Sequence, residues 1–116
     1  MVRKSLAIAL LVASFVACSR APEPGELKGL VSAAPSVLSV SQSGDIPHAQ
    51  WPAAIARLTP ERVYVTPDGL YVVTSSSFVE EQGLFVPRSA NFAPQPGTDP
   101  SYTLLGTGVF SYRIKG

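Results

Sequence analysis

The stretch Arg62–Ser75, RVYVTPDGLYVVTS, decides how this chain folds. Two runs rich in valine, tyrosine and threonine flank a turn sequence, Thr66-Pro67-Asp68-Gly69-Leu70. Pro67 pre-sets φ, Asp68 suits the next position, and Gly69 accepts a positive φ as a bulge. A three-residue loop at Pro67–Gly69 pairs Val65 with Tyr71 and Val63 with Val73. Side chains alternate along a strand, so those four share one face. Arg62, Tyr64, Thr66, Leu70, Val72 and Thr74 share the other. A one-residue slip in the pairing would exchange the faces.

Upstream, Pro52 suits the first position of a helix, where its missing N–H costs nothing, and Ala53–Leu58 are mostly good helix formers. Trp51, Ile55 and Leu58 stand at i, i+4 and i+7 on one face, and Pro60 ends the helix. A helix this short is unstable alone. It is expected to cover the Val63/Val65/Tyr71/Val73 face.

Downstream, Phe78–Val86 reads as a second hairpin turning at Glu81-Gln82-Gly83, with Val79 facing Phe85 and Pro87 ending the pairing. Ser89–Pro100 reads as a loop. Tyr102–Leu105 and Val109–Lys115 form a third hairpin over Gly106-Thr107-Gly108. In its second strand Phe110, Tyr112 and Ile114 alternate with Ser111, Arg113 and Lys115, the pattern of a half-buried antiparallel strand. The expected class is α+β: one short helix on an antiparallel β-meander of four to six strands, spanning residues 45–116. Residues 18–44, punctuated by Pro22, Pro24, Gly25, Gly29 and Pro35, read as a flexible tether. Within it Ser36–Ser41 has the alternation of a short edge strand as its other reading.

The beginning of the chain has a different character. Arg3 and Lys4 precede an uncharged run, Ser5–Ala17, the pattern of a secretory signal peptide. The apolar part, Leu6–Ala17, is 12 residues, about 18 Å as a helix against the roughly 30 Å of a bilayer's hydrocarbon core. It is too short to span. Phe15-Val16-Ala17-Cys18 resembles the lipobox of bacterial lipoproteins, in which a large apolar residue and two small ones precede an invariant cysteine. The resemblance covers residues 1–18 only. It implies cleavage before Cys18 and acylation of its thiol. Two or three acyl chains hold a protein on a bilayer. Ser19 is not the aspartate that marks inner-membrane retention in enterobacterial lipoproteins, so the resemblance implies the periplasmic face of the outer membrane. An envelope protein or peptidoglycan is then the expected partner.

Without Arg3 and Lys4, seven basic residues face eight acidic ones, a net charge of about −1. No basic stripe is available for phosphates, which argues against nucleic acid as a partner. One cysteine allows no internal disulfide.

Groups for catalysis are few. His48 is the only histidine, no Gly-x-Ser-x-Gly elbow occurs, and Ser75-Ser76-Ser77 reads as a polar connection. Glu80 and Glu81 are adjacent, which sends strand carboxylates to opposite faces. Asp68 reads as a turn residue and Trp51 as core. No catalytic set, cofactor or metal site is expected. One surface stands out: Tyr64, Leu70 and Val72 share the face away from the helix, with more apolar content than solvent requires, and form a candidate interaction face. The expected role is a binding or envelope-structural lipoprotein. The rivals are an inhibitor or accessory subunit on one envelope enzyme and, second, a small hydrolase built on His48.

Overall fold

The computed structural model describes residues 22–116; the leader, Cys18 and Ser19 lie outside this range. The first element is a helix, α1, at Pro24–Val40. It replaces both the tether and the edge strand expected there, and the folded part therefore begins at Pro24, well before residue 45. Three local features start it. Glu23 and Glu26 form a capping box, with the Glu23 N–H donating to Glu26 Oε1 at 2.8 Å. Pro24 sits in the first turn, where its ring is tolerated. Leu27, Leu30, Ala34 and Val37 then fall on one buried stripe, each leucine or valine contributing about 1.5–3 kcal/mol through burial. Gly29 and Pro35, which read as breakers, are both accommodated. A Cβ at Gly29 would come within 3.4 Å of the Ala54 Cβ, so the glycine lets two helices approach closely. Pro35 is inside the helix on its exposed side.

A two-residue strand, β1 (Gly44–Asp45), and a 3-10 turn at His48–Gln50 lead to a one-turn helix, α2 (Ala53–Ala56), capped by Pro52. The remaining strands are β2 (Arg62–Thr66), β3 (Gly69–Ser76), β4 (Glu81–Pro87), β5 (Ser101–Gly106) and β6 (Val109–Ile114). Together they make one antiparallel sheet of six strands in the order β1-β2-β3-β4-β6-β5. The class is α+β with helix packed on an antiparallel sheet. The order departs from a simple meander at the last hairpin, where β6 lies beside β4 and β5 takes the edge.

The first hairpin forms with a shorter loop than its turn sequence implies. Thr66 pairs with Gly69, so only Pro67 and Asp68 are in the loop, and Val65 faces Leu70 while Val63 faces Val72. Gly69 is drawn into the ladder by β4. At φ 157° a Cβ on it would lie 2.3 Å from the Val86 carbonyl oxygen, so only glycine lets the strands pair there. The one-residue shift turns β3 over. Leu70 and Val72 now join Val63 and Val65 beneath α1 and α2, together with Leu84, Val86 and Val109. Tyr71 and Val73 go to the far side. Ile55, Trp51 and Leu58 do pack on the helix-side core.

The second hairpin also turns elsewhere. Glu81, Gln82 and Gly83 are strand residues, and the turn is Ser77–Glu80, closed by a 2.8 Å bond from the Ser77 N–H to the Glu80 carbonyl. Gly83 faces an irregularity in β3 between Val73 and Ser75 that leaves Thr74 unpaired. A Cβ there would sit 2.0 Å from the Val72 carbonyl oxygen. Gly83 is thus the partner of a β-bulge rather than a turn residue. Val79 consequently does not face Phe85. The third hairpin forms over Thr107 and Gly108, both at positive φ.

Candidate functional site

The two faces of the sheet differ sharply. On the side away from α1, Tyr71, Phe85, Phe110 and Tyr112 are buried, with Tyr64, Phe92, Tyr102 and Ile114 packed around them. Phe92, from the loop after β4, closes this face through ring contacts at 5.0 Å to Phe85 and 5.3 Å to Phe110. Tyr64 and Tyr71 stack at 4.9 Å. Polar groups are satisfied inside the cluster. Tyr64 and Tyr112 both donate to Glu81 Oε2, at 2.6 and 2.7 Å, and the Tyr71 and Tyr102 hydroxyls pair at 2.7 Å. Burial, reinforced by these bonds, pushes the phenols of Tyr64, Tyr71 and Tyr112 well above the ordinary tyrosine range.

On the helix side, α1 covers only part of the sheet. Beyond it, the face of β6 and β5 carries Ser111, Arg113, Ser101 and Thr103, alternating with the aromatic residues opposite. These polar positions offer no apolar surface for a helix to bury. They floor a cleft of about 1030 Å³, walled by Pro22, Pro24 and Leu27 of the α1 start and by Arg57–Thr59 after α2. Hydroxyls, the Gln82 amide and the guanidinium groups of Arg57 and Arg113 equip it to hydrogen-bond a polar ligand or peptide. Arg113 also pairs with Glu80 at 3.4 Å. Among the described residues, no group of three or more His, Cys, Asp or Glu is placed to hold a metal ion.

A smaller groove of about 490 Å³ lies at the other end of α1, between Val31, Leu38, Val86 and Thr107. Its wall includes Arg88, whose guanidinium donates to the Leu38 carbonyl at 2.9 Å, Thr66 at 3.1 Å, and Ser41 and Pro67 at 3.3 Å. It caps the C-terminus of α1, whose last carbonyls have no glycine cap. This is structural work.

The residues expected to carry function are dispersed. Cys18 lies outside the described residues. The proposed face of Tyr64, Leu70 and Val72 does not exist: Leu70 and Val72 are fully buried under the helices, and Tyr64 is on the opposite side. His48 is exposed with its ring 4.2 Å from Trp51, and makes no hydrogen bond to a serine or carboxylate among the described residues. Ser76 donates to Glu61, continuing β3 rather than forming a separate connection. Glu80, the last turn residue, and Glu81, the first of β4, diverge, one to Arg113 and the other to the two tyrosines. Asp68 is in the turn, and Trp51 is half-buried with its indole N–H on the Ile46 carbonyl at 2.9 Å. At the sheet edge, Asp45 and Arg62 form a bidentate pair at 2.7 and 2.9 Å. That bonding holds Asp45 below the usual carboxylate range and Arg62 above its own.

Arg88 and Glu81 were not legible from local pattern, because each is defined by partners far away in the chain. The polar floor of the cleft was legible: Ser111 and Arg113 are the alternate positions of the clearest strand in the sequence. With this geometry established, comparison with protein-family models, curated proteins and solved structures finds no match.

Proposed function

We propose that this chain is a lipid-anchored protein of the bacterial envelope, held on the periplasmic face of the outer membrane, whose folded domain binds a partner there. The observation that carries the reading is the sequence of Met1–Cys18, with its cationic head, short apolar run and lipobox-like ending. The fold is compatible with it: among the described residues no helix is long and apolar enough to cross a membrane, so attachment would rest on acylation at Cys18. The start of α1 at Pro24 gives the reading a geometric consequence. Only five residues separate Cys18 from the helix, so the connection reaches about 20 Å at full extension. The domain sits close to the lipid, not on a long tether. The cleft beside the α1 start is the binding site in this reading.

The β5 edge favours a narrower version, an inhibitor or accessory subunit. Ser101–Gly106 carries no charge, and Leu104 and Leu105 are 61% and 41% exposed. Such an edge can accept an extended segment of another protein. A stable one-to-one complex in crosslinking would select this version, whereas attachment to peptidoglycan or to many neighbours would select the structural one.

The decisive test of anchoring is the intact mass of the protein from bacterial membranes, beside Cys18→Ser. The expected result is a chain beginning at residue 18 with two or three acyl chains, and an unprocessed variant. An unmodified chain, or one cut elsewhere, would sink the proposal.

A further inference from the structure

The molecule has two distinct ends, and only one of them leads toward Cys18. At that end lie Pro22, the start of α1, the last residues of β3 and β6 and the first of β4 and β5; the cleft that touches Pro22 and Pro24 also touches Thr74, Gln82, Ser101 and Arg113. The β3–β4 turn is at the same end, fixed there by the ion pair between Glu80 and Arg113. Its two central residues are Phe78 and Val79, held outward by the Ser77–Glu80 bond, with Phe78 fully exposed and Val79 60% exposed. The turns at the opposite end are Pro67-Asp68 and Thr107-Gly108, which is ordinary turn chemistry. A tight turn built on phenylalanine and valine is not. Solvent gives no reason for both to stand outward at its tip.

We propose that Phe78 and Val79 insert into the interfacial region of the bilayer to which Cys18 is attached, so that the domain rests on the membrane by this end. The inference rests on the anchoring reading. Its occupant is set by reach: Pro22, on the same end, is four residues from Cys18, at most about 14 Å. An aromatic and an aliphatic tip is weak as a free membrane ligand, but an acyl anchor already at the surface supplies a high effective concentration. Charge does not draw this end to an anionic surface, because Glu23, Glu26 and Glu61 stand there besides Arg57 and the Glu80–Arg113 pair. The contact rests on the two apolar side chains and is therefore not weakened by salt.

The test uses the acylated full-length protein in vesicles of phosphatidylethanolamine with a minority of phosphatidylglycerol. Acylation occupies the single cysteine, so Val79→Cys gives a unique thiol for a nitroxide, and Thr107→Cys gives a control at the far end. Both positions are exposed turns, and labelling them leaves the core untouched. The expected result is a severalfold higher ratio of oxygen to nickel-chelate accessibility at 79 than at 107, not lowered by salt. Adding Phe78→Ser to Val79→Cys should bring the ratio down toward that of 107. Equal ratios at 79 and 107 in a protein whose mass shows the acyl chains would overturn the insertion and leave the anchor standing. A mass without acyl chains would instead remove the anchor, and the insertion with it.

Discussion

Arg88 joins three parts of the chain with one side chain: the last turn of α1, the segment after it, and the β2–β3 turn. Among the described residues no carboxylate partners it; its charge is spent on carbonyl oxygens that would otherwise be orphaned. Hydrogen bonds to charged groups contribute about 1.5–3 kcal/mol each before losses are shared. Arg88→Ala is expected to destabilise the domain by about 3 kcal/mol in urea unfolding, and Arg88→Lys to recover less than half, because an ammonium cannot fork across four carbonyls. An unchanged urea midpoint would refute the clamp. The tyrosines set a second residue-scale expectation. Their phenols are held neutral in the fold, with ionisation pushed above the ordinary value, so the stabilisation is complete below about pH 10 and lost as pH rises beyond it. Absorbance of ionised tyrosine from Tyr64, Tyr71 and Tyr112 should appear together with alkaline unfolding; smooth ionisation at pH 10 with the fold intact would contradict the buried network. Two glycines set registers that differ from those the turn sequences imply. Gly69 and Gly83 both look like turn residues in sequence, yet each is in the sheet because a neighbouring strand passes where a side chain would be. For Gly69 that constraint comes from β4, a third strand to its hairpin, and for Gly83 from the bulge in β3 opposite it; neither shows in the turn sequence.

At the scale of elements, the β5–β6 hairpin, the antiparallel sheet and the one-turn α2 were readable from alternation, turn residues and Pro52. The longest helix was not. The stripe Leu27, Leu30, Val31, Ala34, Val37 and Leu38 has helical spacing, but Gly29 and Pro35 argue locally against it. Tertiary burial outweighs that local cost, since the stripe packs on the apolar face of β2, β3 and β4. The local cost remains measurable. Pro35 is exposed inside α1 and deprives the Val31 carbonyl of its partner in the helical ladder. Pro35→Ala should therefore raise stability by about 1–2 kcal/mol, the helix-interior penalty less what proline contributes by restricting the unfolded chain. A lower urea midpoint for the variant would mean that the proline is shaping the helix rather than being endured by it.

At the scale of the molecule, the helix at Pro24–Val40 changes what an anchor at Cys18 would do. A tether ending near residue 44 would let the domain roam and would give its surface no preferred orientation. A helix beginning at Pro24 and packed over β2–β4 binds the anchor to one end of a rigid body. The polar cleft, the uncharged β5 edge and the Phe78–Val79 tip then have fixed positions relative to the lipid. The orientation of the domain depends on that helix being part of the core. The most direct test is amide hydrogen exchange on the full-length protein purified from membranes into vesicles, followed through residues 24–40. Leu27–Val37 are expected to exchange as slowly as the central strands β3 and β4, opening only with the domain as a whole. Exchange of that segment at the rate of an unstructured chain, while the strands stay protected, would restore the long tether and rule out a helix packed in the core.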